Sequence, residues 1–545
     1  MSIQRAGRTR IVGLLIALAL SLTGGAPRAQ QDCTPTWQPI FVAPQDLDST
    51  VHALVVFDDG NGPALYAGGE FTHAGGVSAN RIAKWDGAAW SPLGNGVSGA
   101  SFPHDPEVRA LAVFDGGGGL ELYAGGEFAF AGGVSANRIA KWDGAAWSPL
   151  GNGVSGPNFP DAPEVRALAV YDAGLGGGPE LFVGGGFTNF VSFPTATVVN
   201  GIVRWDGEAW HDVGAGADGT IPVRALATFD DGRGGGPALY AGGTFHTMDG
   251  VPADGVARWD GTSWTSAANG PQTITINCFA VFDDGLGGGP ALYAGGSFGA
   301  IDGVPAASIA RWNGVAWSPL AGGGATGKII NALAVFDDGS GPALYAAGDF
   351  LSIGGVTAGH IAKWNGTAWS RLEEGLGSQF GAGFALASFD AGSGPALIAG
   401  GMFLQAGGDA SPYIAEWKGC PPSPWTDLGN ALPGVNGPPL LVGTGDLVAG
   451  QPAALDLTNA KASSPSVLFV SLSSVPVPFK GGLLLPVPAA VMLAFSTDAT
   501  GTIALPFAWP AGLPAGFDLY YQYAIQDAAA VHGVSLSNAL KSTTP

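Results

Sequence analysis

Seven times this chain ends an apolar run with a tryptophan and a turn-forming pair. The marks are Trp85-Asp86-Gly87, Trp142-Asp143-Gly144, Trp205-Asp206-Gly207, Trp259-Asp260-Gly261, Trp312-Asn313-Gly314, Trp364-Asn365-Gly366 and Trp417-Lys418-Gly419. They lie 52 to 63 residues apart, and a second tryptophan follows each: Trp90, Trp147, Trp210, Trp264, Trp317, Trp369 and Trp425. A period of that length confines the chain to an array of one supersecondary unit, closed or stacked. Within the unit the pattern is that of strands. Residues 108–115 (VRALAVFD) alternate, 120–128 (LELYAGGEF) carry paired glycines near their end, and 138–142 (RIAKW) follow a loop of about ten residues. A fourth strand holds Trp147 and Leu150. Asp-Gly or Asn-Gly stands at six of the seven marks and predicts a two-residue hairpin turn with both central residues at positive φ. The expected fold class is all-β.

Glycine supplies 91 residues and proline 40, yet the hydrophobic share is 46%, which a disordered Gly/Pro-rich chain would lack. A net charge of -21 argues against nucleic acid and anionic lipid as partners. Arg5, Arg8 and Arg10 precede an apolar run from Ile11 to Leu22, and small residues lead to Ala29-Gln30. This reads as a signal peptide over 1–29, too short and wrongly flanked for a membrane span. The expectation is a secreted or cell-surface protein, monomeric, with no membrane span.

The strand ending in Gly-Gly, the aromatic-acidic pair and the tryptophan with Pro-Leu behind it resemble the kelch-type β-propeller repeat. The extracellular repeats of cortical-marker surface proteins are similar too. The resemblance implies a seven-bladed β-propeller of four-stranded blades over 33–425. Trp85 and its equivalents stand where kelch repeats usually carry tyrosine, and the turn to Trp90 is shorter. Residues Ala74–Gly99 and Ala131–Gly156 are identical, which speaks for duplication and against a unique catalytic residue there.

A propeller must join its last blade to its first or leave open edges. Trp37-Gln38-Pro39-Ile40-Phe41 is an orphan copy of the fourth strand. If it completes blade seven, Cys33 and Cys420 meet where other blades have a covalent hairpin. A disulfide between them, permitted by export, would stabilise by around 4–5 kcal/mol in the chain-entropy model. The competing reading keeps Trp425 in blade seven and leaves Trp37 peripheral. Cys278 aligns with alanines of other repeats and reads as a small buried hydrophobe. After about 430 the repeat stops. Runs such as 467–473, 491–495 and 517–525 suggest a small antiparallel β-sandwich over 430–545, similar to tails of exported bacterial repeat proteins. Attachment, sorting and carbohydrate binding are its candidate roles.

Chemistry-bearing motifs are sparse. The Asp-Asp-Gly turns, with Asp58, Asp59, Asp230 and Asp231 foremost, are the calcium candidates. They run into Gly-Pro-Ala-Leu without a further acidic ligand, so turn chemistry accounts for them and no cofactor is expected. The Asp-box of sialidase-type propellers does not fit, and the seven histidines share no metal-like spacing. Paired glycines are so frequent that they point to no phosphate loop. The loop-bearing face remains, with His73, Phe102, His104, Phe159, Phe190, Phe193 and His246 as candidate ligand contacts. Arg109, Arg166 and Arg224 open adjacent inner strands and join this set, with Glu70, Glu127 and Asp349 as their expected ion-pair partners. The expected function is non-enzymatic binding of a protein or glycan. The rivals are a glycan-acting or oxidative enzyme at the channel mouth, and a surface-layer or matrix building block.

Overall fold

The computed structural model describes residues 34–544 apart from 40, 42–45, 100–104, 157–162, 175, 193–194, 219–221, 233, 269–273, 378–380, 421–424, 446 and 512. The signal expected over 1–29, Cys33, Phe102, His104, Phe159 and Phe193 lie outside the described residues. The chain forms two compact units, Thr34–Pro421 and a second one built from Pro422–Pro545. Apart from a 3₁₀ turn at Val531–Gly533, the described regular elements are all strands.

The first unit contains seven four-stranded antiparallel sheets. Sheet 2 is representative, with strands Glu107–Asp115, Leu120–Glu127, Ile139–Trp142 and Trp147–Pro149 in that order. The leading strands of sheets 1 to 7 are Val51–Asp58, Glu107–Asp115, Val165–Tyr171, Val223–Phe229, Thr275–Phe282, Ile329–Asp337 and Ala382–Phe389. Each packs against the next, and the seventh packs against the first. Sheet 7 takes its fourth strand from the other end of the unit. Thr36–Gln38 pairs with Ile414–Lys418 in the register Trp37↔Trp417. Trp37 and Trp417 lie 5.3 Å apart, within the 5.0–5.4 Å of the six other tryptophan pairs. Its indole N–H donates to the Leu372 carbonyl of sheet 6, as Trp147 donates to Leu93 and Trp210 to Leu150. Trp425, grouped with repeat 7 by sequence, belongs instead to the second unit, where it pairs with Ser542 and packs on Tyr521. The sequence boundary at 425 is therefore four residues late.

The glycine pairs have a packing reason that their abundance hid. A Cβ on Gly68, Gly125, Gly184, Gly242, Gly295 or Gly400 would collide with Val108, Val165, Val223, Ile276, Ile330 or Val51 of the following sheet. Only glycine allows that β-branched side chain so close to the neighbouring backbone. At the junction of sheets 6 and 7 the roles are exchanged. Ala347 takes the glycine place, and the residue facing it is Gly383.

The Trp-Asp-Gly turns also differ from expectation. Trp85 pairs with Trp90, so four residues form the loop, and only Gly87 has positive φ. Asp86 accepts hydrogen bonds from the backbone N–H of Ala88 and Ala89, both at 2.8 Å, and this side-chain capping replaces a two-residue turn. Two-residue turns with both positions at positive φ occur elsewhere, in short hairpins between strands two and three, such as Gly75-Gly76 and Asp249-Gly250. What read as a ten-residue loop is thus itself a small hairpin.

In the second unit, strands Leu440–Thr444, Pro452–Thr458 and Ile503–Ala508 form one antiparallel sheet. Trp425–Gly429, Pro465–Ser471, Val491–Ser496, Asp518–Gln526, Val534–Leu536 and Ala539–Thr543 form another. Leu455 and Phe507 from the first share one buried core with Leu468, Tyr521 and Tyr523 from the second.

Candidate functional site

The two ends of the sheets in the first unit carry different chemistry. One end has the turns between strands one and two, where the calcium candidates lie. Asp58 accepts from the backbone N–H of Gly60 and Gly62, and Asp230 from Gly232. Asp59 is paired with Lys84 at 2.5 Å and accepts from the Tyr66 hydroxyl. Asp231 is paired with Arg258 at 2.8 Å and accepts from Tyr240. Burial pushes Asp59 up, but the donors Lys84, Tyr66 and Asn61 outweigh it and hold its carboxyl below the ordinary range. Burial pushes the Tyr240 hydroxyl up to about 12. These aspartates are engaged as turn caps and ion-pair partners.

The opposite end bears the small hairpins and the segments entering each leading strand. The second residue of the leading motif is skipped in the pairing register of every sheet, a β-bulge repeated seven times. The bulged residues are His52, Arg109, Arg166, Arg224, Asn277, Asn331 and Phe384. A bulge re-aims its side chain out of the ladder. Here it places side chains where they can reach the adjacent sheet. His52 Nε2 is 2.9 Å from Glu70 Oε1 and 3.5 Å from Glu107 Oε2. Arg109 Nε is 2.6 Å from Glu107 and 3.2 Å from Glu164, and Arg166 pairs with Glu164. Asn277 donates to Asn331, and Asn331 donates to the Gly383 carbonyl at 3.2 Å. The Phe384 ring lies 5.2 Å from that of His52. The His52 hydrogen bond, stronger than the opposing desolvation, holds the Glu70 carboxyl below the ordinary glutamate range.

The residues expected at this face divide accordingly. Arg109 and Arg166 come together in one network, and Arg224 occupies the same bulge in sheet 4. Their expected partners do not all hold. Glu107 and Glu164 take the arginines, Glu70 takes His52, Glu127 faces the charge of Arg138, and Asp349 lies 3.8 Å from Lys328. Glu107 and Glu164 recur as Glu-Val-Arg but do not stand out in the sequence, because the bulge between glutamate and arginine has no signature in one sequence. His73 and His246 are exposed on the hairpins of sheets 1 and 4, each beside its own aspartate, Asp48 at 3.0 Å and Asp254 at 3.2 Å. Phe190 is corrected outright. It is 5% exposed and packs on Trp210, because its hairpin folds back onto the core of sheet 3. Cys278 is a free cysteine whose thiol is pushed up by burial.

No family model and no curated protein matches the chain. Among solved structures, the crystal structure of the V. cholerae biofilm matrix protein Bap1 aligns at 13% identity, with a TM-score of 0.30. The alignment covers 83% of this chain and 68% of that one. Among the described residues no helix is long and apolar enough to cross a membrane.

Proposed function

We propose that the chain is an exported, non-enzymatic binding protein, with seven sheets as the blades of a kelch-like β-propeller and a β-sandwich following them in the chain. The bulge-bearing hairpin end takes a protein or glycan partner. One observation carries this reading. The bulged position changes from His to Arg to Asn to Phe around the sheets, while its neighbours in each leading strand stay nearly constant. A rigid scaffold that varies its side chains at one re-aimed position per sheet suits recognition by a mosaic surface. The succession of leading strands from sheet 1 to sheet 7 and back to sheet 1 supports the propeller reading.

The test is a glycan array and an extracellular-protein pull-down with the full chain and with Arg166→Ala and Arg224→Ala. Saturable binding weakened by these substitutions is expected. Turnover of a glycan or redox substrate would favour the enzyme reading instead. Concentration-dependent assembly without any ligand would favour a matrix building block.

A further inference from the structure

Two successive intervals between adjacent sheets at the bulge end each have a nearly buried carboxylate to neutralise, and they solve this differently. Glu107 and Glu164 occupy equivalent places, each two residues before a bulged arginine. Both are nearly buried, at 7% and 8% side-chain exposure, so neither can rely on water for its charge. From the preceding sheet, Glu164 meets the guanidinium of Arg109 at 3.2 Å. From its own preceding sheet, Glu107 meets the imidazole of His52, at 3.5 Å. A guanidinium only donates hydrogen bonds, whereas an imidazole nitrogen is a metal-ligand atom. Glu70 brings a second carboxylate to the same nitrogen, 2.9 Å away. Arg81 and Arg109 add their charges near Glu70, and the Arg81 Nε donates to the Pro106 carbonyl at 2.7 Å.

We infer that His52, Glu70 and Glu107 form a binding site for a divalent transition-metal ion of the zinc class. The donor atoms of the three residues all lie within 4.8 Å of one another. The 2.9 and 3.5 Å separations from the imidazole nitrogen bracket the edge of about 3.4 Å that a tetrahedron with bonds of about 2.1 Å requires. One imidazole with two carboxylates suits zinc-like ions better than magnesium or calcium, which take oxygen donors alone. Outer partners hold the ligands. Arg109 engages the other oxygen of Glu107 at 2.6 Å, and Phe384 packs beside the His52 ring. Glu70 is 44% exposed, so an ion can enter from that side, and a fourth position stays open to water or to an oxygen of a bound partner. The site does not depend on the proposed partner binding, and its ion substitutes for the guanidinium that the next interval already has.

The test is calorimetric titration of the chelator-stripped full chain with zinc chloride, with cobalt(II) absorption as a second readout. One saturable site is expected, with no competition from magnesium or calcium. Glu70→Gln weakens it by more than about tenfold, the cost of losing even an outer-shell partner. His52→Arg copies the arrangement of sheet 2, so that variant keeps its melting temperature and loses the site. His73→Ala and His246→Ala retain it. Absence of zinc binding, unchanged affinity in His52→Arg and Glu70→Gln, or loss of the site in His73→Ala or His246→Ala would overturn the assignment.

Discussion

Sheets 1 to 6 and sheet 7 are built from the same repeat but held together differently. In sheets 1 to 6 a carboxylate near the strand-one turn is locked by a cation on strand three, as in Asp59–Lys84, Glu121–Lys141, Glu180–Arg204, Asp231–Arg258, Asp284–Arg311 and Asp338–Lys363. Sheet 7 has none of these parts. Ala391 stands where sheets 1, 4, 5 and 6 have the aspartate, Ala396 where sheets 2 and 3 have Glu121 and Glu180, and Glu416 in place of the cation. Its third and fourth strands come from opposite ends of the unit, so no hairpin turn needs support there. Gly419 packs on Asp338 of sheet 6 as Gly144 packs on Asp59 and Gly366 on Asp284, and here the Cys420 N–H adds a hydrogen bond to the Asp338 carbonyl at 2.8 Å. The local network travels with the covalent hairpin, and where the hairpin is missing a different fastening takes over.

The largest effect is expected at that fastening. If Cys420 pairs with Cys33, which lies outside the described residues, Cys420→Ser should cost up to about 5 kcal/mol. The check is the melting temperature with and without reductant, together with non-reducing peptide maps. Equal stability in both conditions would break the contrast between sheet 7 and the others. Within sheets 1 to 6, Lys363→Met leaves Asp338 buried without its cation and should cost about 3–5 kcal/mol by denaturant unfolding. The same change at Lys418, whose partners Ser393 and Gly394 sit at the surface of sheet 7, should cost less than about 1 kcal/mol. Comparable losses would mean that the two regions share one electrostatic design after all.

The exchanged packing between sheets 6 and 7 gives a sharper test. Gly383→Val forces a side chain into Ala347 and should cost about 1–3 kcal/mol. Adding Ala347→Gly recreates the arrangement of the other junctions, and most of the loss should return in a double-mutant cycle. Additive losses would refute the exchange. Gly207→Ala, at φ 106° and against the Gly116 carbonyl, should cost about 1–2 kcal/mol from its left-handed backbone alone.

The smallest effect separates the regions by pH. Burial, only partly offset by Lys418, holds the Glu416 carboxyl of sheet 7 above its ordinary value of 4.5. A raised carboxyl penalises the folded state at neutral pH and ceases to do so once pH falls below the unfolded value. Glu416→Gln should therefore raise the melting temperature at pH 7, with the gain fading towards pH 4.5. Asp338 behaves oppositely. Burial pushes it up, but hydrogen bonds from Lys363, Ser340 and Tyr345 prevail and hold it below 3.8, so its contribution persists at neutral pH and is lost on acidification below that value. Thermal melts across pH 3 to 7 distinguish the two; a pH-independent gain in Glu416→Gln would contradict the assignment.

Much of the scaffold was legible in the residues because it is local. Alternation marks a strand wherever one face is buried, and the tryptophan pairs mark a hairpin within a few residues. The orphan strand at Trp37 was legible too, since it copies a fourth strand that repeat 7 lacks. The turn type was misread because Asp-Gly serves a capped four-residue loop as readily as a two-residue one. The bulge residues were only half seen. Arg109 and Arg166 stood out, but Glu107 and Glu164 did not, since nothing local says that a glutamate will meet a cation from the preceding sheet.

One backbone position shows the division plainly. The residue before each third strand, namely Arg81, Arg138, Gly201, Gly255, Ser308, His360 and Tyr413, has φ between 64° and 81°. Five different residue types tolerate it because two backbone hydrogen bonds pin each one, as Arg81 N–H to Phe71 and Gly69 N–H to the Arg81 carbonyl. The residues alone therefore determined strand content, repeat number and the core pattern, which depend on neighbours along the chain. The tertiary structure decided this left-handed pivot, the exchange of Ala347 and Gly383, and the meeting of His52 with Glu107. Each depends on hydrogen bonds or contacts between segments that only the folded sheets bring together.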